Sequence, residues 1–158
     1  MKLLKKITIL LCFLSLIAFV SCSAEDKSGV KEKDKPEEGN FYQPFGDYKD
    51  KKIGFSTSSG EDLGITKVSK VSENTTKIKG YAARSDGGAK RFDFEISKWK
   101  KTIKDGKDIK SEAVNINIVV EPGLTDISIV YYYDSSTLEI TFKSNSGTDY
   151  LFKGTKQP

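Results

Sequence analysis

Thr137-Leu138-Glu139-Ile140-Thr141-Phe142-Lys143 alternates polar and apolar residues without a break. A period of two places Leu138, Ile140 and Phe142 on one face of an extended chain, whereas a helix would scatter them around its axis. The same alternation recurs upstream. Phe92, Phe94 and Ile96 alternate with Asp93, Glu95 and Ser97, and Val114, Ile116, Ile118 and Val120 surround Asn115 and Asn117. Turn-forming clusters separate these runs: Ser72-Glu73-Asn74-Thr75, Asp86-Gly87-Gly88, Glu121-Pro122-Gly123, Asp134-Ser135-Ser136 and Asn145-Ser146-Gly147. Asn, Asp and Gly tolerate the positive φ that tight turns demand.

The pattern predicts strands near 51–57, 63–71, 76–84, 89–99, 112–120, 126–134, 137–144 and 148–154. Short links between consecutive strands imply an all-β antiparallel meander of about eight strands, closed as a small barrel or split as a sandwich. The domain is expected to cover residues 41–158, about 118 residues, long enough for one core. Phe41-Tyr42-Gln43-Pro44-Phe45 and Tyr48 are expected to form an N-terminal arm laid over it. Bulky residues at the interior positions would leave such a barrel little room for a ligand.

Two stretches break the clean alternation. In 126–134, Ile127, Ile129, Tyr131 and Tyr133 fill one face, while Val130 and Tyr132 add apolar bulk to the other. Either this strand is covered on both sides, or Tyr131 and Tyr133 offer a partner their amphipathic rings. The second stretch, Ser97–Lys110 (SKWKKTIKDGKDIK), sets six lysines around Trp99, the only tryptophan. Lys98, Lys100, Lys101 and Lys104 with Trp99 could form a basic aromatic patch for a sulfated glycan, an anionic headgroup or an acidic protein. The alternative is a strand end with Trp99 and Ile103 in the core under a solvated lysine face. A short helix over 98–104 would also fit. No arginine is present there, so bidentate sulfate or phosphate recognition is not indicated.

Much chemistry is excluded by composition. The chain has no histidine, which removes the commonest general base and zinc ligand. No glycine-rich phosphate loop and no Gly-x-Ser-x-Gly elbow occur. Asp105-Gly106-Lys107-Asp108 lacks the ligand set of a calcium loop and reads as a turn. No metal or cofactor is therefore expected. Paired carboxylates could still hydrolyse a glycosidic bond, but no pair stands out among 22 acids.

The N-terminus has a separate logic. Lys2, Lys5 and Lys6 precede Ile7–Val20, fourteen residues that are apolar except for Thr8 and Ser15. That run is too short for a membrane span and suits the apolar core of an export signal. It ends in Phe19-Val20-Ser21-Cys22, which resembles the lipobox of bacterial lipoproteins, of the spirochaete or Bacteroidetes kind. Phe19 departs from the leucine the family prefers there. The resemblance covers residues 1 to about 26. It implies a lipoprotein signal peptide over 1–21 and a thioether-linked diacylglycerol, with palmitate-type chains, on Cys22. The other possibility is an ordinary secretory signal cut near Ser21 or Ala24.

Removal of 1–21 takes Cys12 with it and three of the 26 basic residues but no acid, leaving 23 bases against 22 acids. A nearly neutral domain does not call for nucleic acid. The acylated Cys22 would leave no free thiol and no disulfide. Residues 22–40 then form a lipidated tether. Its Ser23–Asn40 portion (SAEDKSGVKEKDKPEEGN) holds one large apolar residue, Val30, so it cannot repay its ordering entropy. Its typical reach is roughly 25 Å.

Together these features lead us to expect a monomeric lipoprotein of the cell envelope, on the surface or periplasmic face of the outer membrane. Its β domain would bind a host or envelope macromolecule, a polyanion among the candidates, without catalysis. The alternatives are a lipocalin-like carrier of a small hydrophobic ligand and a carboxylate-based hydrolase.

Overall fold

The computed structural model describes residues 37–39 and 44–158. The expected signal at 1–21, the lipidation site Cys22, the tether as far as Pro36, and Phe41–Gln43 of the expected arm lie outside the described residues. Eight strands carry the domain: β2 (Gly46–Lys49), β3 (Ile65–Ser72), β4 (Thr75–Ala83), β5 (Ala89–Lys104), β6 (Lys107–Ile118), β7 (Thr125–Tyr132), β8 (Thr137–Lys143) and β9 (Asp149–Lys156). A short strand β1 (Glu37–Gly39) precedes them. Every pairing is antiparallel, and each of β2 to β8 pairs with its successor. The meander closes on itself where Tyr48 and Lys49 of β2 face Lys156 and Thr155 of β9. Of the two architectures anticipated, the chain adopts the closed barrel.

Alternation decides what fills it. Phe92, Phe94, Ile96 and Trp99 of β5 point inward with Ile78 and Ala82 of β4, Leu138, Ile140 and Phe142 of β8, and Phe152 of β9, all buried. Phe92 stacks on Phe94 with ring centres 5.4 Å apart, and Phe142 meets both edge-on at 6.0 Å. Phe152 closes on Phe92 at 6.4 Å. An eight-stranded barrel is just wide enough for side chains to fill, and these aromatic rings occupy its interior. Gly80 makes one of the close fits possible. A Cβ there would lie 2.2 Å from the Oγ1 of Thr66, a buried residue of the neighbouring β3. The hydroxyls of Thr66 and Thr76 and the indole N–H of Trp99 are buried with no hydrogen-bond partner among the described residues.

The outer wall is charged. Outward positions carry Asp47, Lys67, Lys77, Lys79, Arg91, Glu95, Glu139 and Lys153. A membrane-spanning barrel shows the reverse, with apolar side chains turned outward.

Four expectations need correction. The first strand is Gly46–Lys49 rather than 51–57. The Ile53/Phe55 spacing mimics a strand, but Asp50 and Gly64 pin 50–64 as a loop, through a bond from Asp50 N–H to Gly64 C=O at 2.8 Å. In that loop Ile53 is buried and Phe55 is exposed. Tyr48, expected in a covering arm, is instead a wall residue whose ring lies in the core; its hydroxyl donates to the Pro44 carbonyl at 2.7 Å. Finally, 98–104 is not helical. β5 continues through it as strand, with irregularities at 96/98, 98/99 and 102/103, and turns at Asp105-Gly106 into β6. Both turn residues have positive φ, 52° and 72°. The β-branched pair Thr102-Ile103 favours the extended form. Similarly, β6 begins at Lys107 rather than near 112.

Candidate functional site

The structure separates the residues singled out from sequence. Trp99 is 0% and Tyr131 2% exposed, so neither can meet a partner. Trp99 follows the inward series Phe92, Phe94, Ile96 after the irregularity at 96/98. Tyr131 packs edge-on against Tyr48 at 6.1 Å and against Tyr133 at 5.0 Å. The Tyr133 hydroxyl is 2.9 Å from the Ser111 hydroxyl, and burial pushes its pKa upward. Burial, then the nearby Tyr131 and Tyr133, raises Tyr48 further, so its phenol stays a neutral donor to Pro44. Within this tyrosine cluster Tyr48 and Tyr131 are buried and Tyr133 is half-buried.

The four lysines stay at the surface but are not one patch. Lys98 and Lys104 are exposed, while Lys100 and Lys101 are half-buried on the long β5–β6 hairpin. Lys101 pairs across the hairpin with Asp108 at 3.3 Å, and Lys110 with Glu112 at 3.0 Å. Acids thus interleave with the bases along the hairpin.

A different set of residues forms a concave site. On the outer wall, Asp47 of β2, Ile65 and Lys67 of β3, Lys79, Gly80 and Tyr81 of β4 and Arg91 of β5 line a groove of about 370 Å³ with Glu61 and Asp62 of the 50–64 loop. Register builds it. Asp47 faces Lys67, Lys67 faces Lys79, and one step along the wall Tyr81 faces Arg91. Among the described residues none of Lys67, Lys79 and Arg91 is held in an ion pair. The acid flanking Lys79 on β5, Asp93, is taken by Lys77 at 3.1 Å.

The rim opposite is acidic. The carboxylate of Asp62 is bonded to Lys49 and accepts the Gly64 N–H at 2.9 Å. The Lys49 bond first, and the Gly64 N–H second, hold its pKa below the ordinary carboxylate range. Because the folded value is depressed, this pairing is complete at neutral pH and is lost only as pH falls through the lowered value. Asp47 and Glu61 add two more carboxylates to a lining that also holds Lys67, Lys79, Arg91 and the half-exposed Tyr81. A second concavity of about 300 Å³ lies at the β2–β9 seam and is lined by Lys49, Asp50, Lys51, Lys52, Thr137, Lys153 and Thr155. There Glu139 binds Lys153 at 2.9 Å and raises its pKa.

None of the groove residues was singled out from sequence, although a signal was present. Lys67 and Lys79 lie symmetrically about Glu73 of one turn, and Tyr81 and Arg91 about Asp86 of the next. Centring each hairpin on its turn would have placed them side by side. Among the described residues no three His, Cys, Asp or Glu side chains are grouped to hold a metal.

The fold and groove define a filled, closed antiparallel barrel with a polar site on its outer wall. Compared with protein-family models, curated proteins and solved structures, the chain matches none.

Proposed function

We propose that this chain is a lipid-anchored protein of the bacterial envelope whose barrel binds an acidic carbohydrate in the outer groove, without catalysing a reaction. One observation carries the binding part. Lys67 and Lys79 stand directly opposite each other on adjacent strands, and neither has an ion-pair partner among the described residues. Like charges so placed repel, and Arg91 adds a third cation within the same concave surface. An anionic ligand relieves that repulsion. Asp47 and Glu61 supply acceptors for sugar hydroxyls, and Tyr81 supplies a ring edge or face for a pyranose. Carboxylated or sulfated glycans carry all three complements.

The filled interior argues against the carrier alternative, since a small hydrophobic ligand needs an apolar cavity and both concavities are lined by charged groups. The hydrolase alternative asks for a carboxylic acid of raised pKa, and Asp62 moves in the opposite direction.

Titration of the mature protein with heparin-derived oligosaccharides tests the groove. Lys67→Glu with Lys79→Glu is expected to weaken binding by about tenfold or more, because each reversal replaces an attraction by a repulsion. Reversal of Lys98, Lys100 and Lys101 should change it far less. Equal affinity in the groove variant, with loss in the hairpin variant, would overturn the assignment.

The anchor is tested independently. Two or more acyl chains hold a protein stably on a bilayer. Cys22→Ala is therefore expected to move the protein from the detergent phase to the aqueous phase on Triton X-114 partitioning. Unchanged partitioning would refute lipidation at Cys22.

A further inference from the structure

We infer that the groove is one half of an extended site: it continues across β2 into the concavity at the β2–β9 seam, and the two together hold an acidic oligosaccharide chain rather than a single acidic sugar. The inference rests on the acidic-carbohydrate reading of the groove and adds the length and path of its ligand. Strand register carries it. Lys49 of β2 stands directly opposite Ile65 of β3 on one side and Thr155 of β9 on the other. Thr155 in turn faces Thr137 of β8. Residues directly opposed on neighbouring strands share a face, so Ile65, Lys49, Thr155 and Thr137 form one unbroken row on the wall. Ile65 lines the groove, and the other three line the seam concavity. The two hollows therefore abut along β2, with no strand between them.

Charge follows the same path. The groove contributes Lys67, Lys79 and Arg91, and the concavity adds Lys51 and Lys52, both exposed on the turn that follows β2. Among the described residues none of these five is held in an ion pair. The acids at the junction and around the concavity are already engaged. Lys49 holds Asp62 where the hollows meet, and Lys153 holds Glu139 at 2.9 Å. Asp50 accepts the N–H groups of Lys52 and Lys153, each at 2.8 Å. A polyanion can therefore cross β2 without meeting a carboxylate that lacks a donor. From Lys79 on β4 to Lys153 on β9 the wall crosses three strand spacings, about 14 Å. A path of that length calls for several linked sugars.

Calorimetric titration of the full mature chain with heparin-derived disaccharide and hexasaccharide tests the path. Two subsites engaged by one ligand hold it far more tightly than either does alone, so the hexasaccharide is expected to bind at least about tenfold more tightly than the disaccharide. Lys51→Glu with Lys52→Glu, at exposed turn positions, should remove most of that gain without moving the thermal midpoint. The same variant should leave disaccharide affinity within about twofold of wild type. Lys67→Glu with Lys79→Glu should weaken both ligands. Reversal of Lys98, Lys100 and Lys101, which line neither hollow, changes more charge yet should spare the gain, and so separates contact from overall electrostatics. Hexasaccharide affinity unaltered by the Lys51/Lys52 variant, or lowered equally by the hairpin variant, would overturn the extended site while leaving the groove standing. Failure of both ligands to bind the wild-type chain would overturn the groove reading and the extension with it.

Discussion

Phe142→Ala is expected to destabilise the barrel by about 3–5 kcal/mol, the usual range for deleting a fully buried phenylalanine ring. Phe142 is 2% exposed and sits where three strands converge. Its ring lies 6.0 Å from those of both Phe92 and Phe94 of β5, and stacks on Tyr150 of β9 at 5.4 Å. The site cannot collapse, because those rings are fixed by the closed hydrogen-bonded wall behind them. Both the lost transfer energy and the cavity cost therefore apply. A domain of this size is stable by about 5–15 kcal/mol in all, so the variant should unfold at a much lower urea concentration, with its slope retained. Phe55→Ala, at a ring 40% exposed on the 50–64 loop, is the matched control and should cost well under 1 kcal/mol. A Phe142→Ala loss no larger than the control's would mean that the aromatic interior is not the stabilising core.

That core is legible in the sequence. Thr137–Lys143 and Arg91–Ser97 alternate so regularly that a one-residue slip would expose every apolar side chain, and register follows from the pattern. The turns at 72–75, 86–88 and 134–136 were equally plain, since each concentrates residues that adopt tight-turn geometry. The failures have physical causes as well. Ile53 and Phe55 have strand spacing, yet Ile53 plugs the barrel from a loop; spacing of two reports which side chains share a side, not whether a neighbouring strand exists. Lys98–Lys104 looked ambiguous because irregularities at 96/98 and 98/99 shift the phase of alternation there. Trp99 and Tyr131, weighed as contacts, proved to be interior, for amphipathic rings serve cores and surfaces alike.

The groove was harder to see for a different reason. Lys67, Lys79 and Arg91 are ordinary outward residues of three separate strands, and each alone is a solvated charge. Only lateral pairing makes Lys67 face Lys79, and only the 50–64 loop makes the surface concave by adding Glu61 and Asp62. The groove is thus a product of strand register and one loop, which ties the proposed binding to whatever holds that loop in place.

Asp50 is the residue that does so, and Asp50→Ala is expected to cost about 2–4 kcal/mol, because it strips two part-buried backbone donors of their buried carboxylate acceptor at once. The closing seam explains the size of the effect. β2 and β9 share only two residue pairs, Tyr48 with Lys156 and Lys49 with Thr155, before the chain leaves the wall at Asp50. Farther along, β9 meets β4 directly, with Leu151 opposite Ala83. Between these contacts the Lys153 N–H has no strand to bond. The Asp50 carboxylate, 4% exposed, accepts it at 2.8 Å across a separation of 103 residues, and its second oxygen accepts the Lys52 N–H, also at 2.8 Å. A side chain thereby stands in for the missing length of β2. Asp50→Asn keeps the shape but turns an NH₂ toward one of the two donors, so it should lose roughly half as much. Amide exchange at Lys153 and Lys52 should rise in both variants, and most in Asp50→Ala. With the loop released, Glu61 and Asp62 no longer hold the groove's acidic rim, so the proposed affinity for an acidic glycan should shift even under conditions where the barrel remains folded. Phe142→Ala, by contrast, should leave the affinity of its folded fraction unchanged. Full stability in Asp50→Ala, with Lys153 still protected, would show that the seam is closed without it.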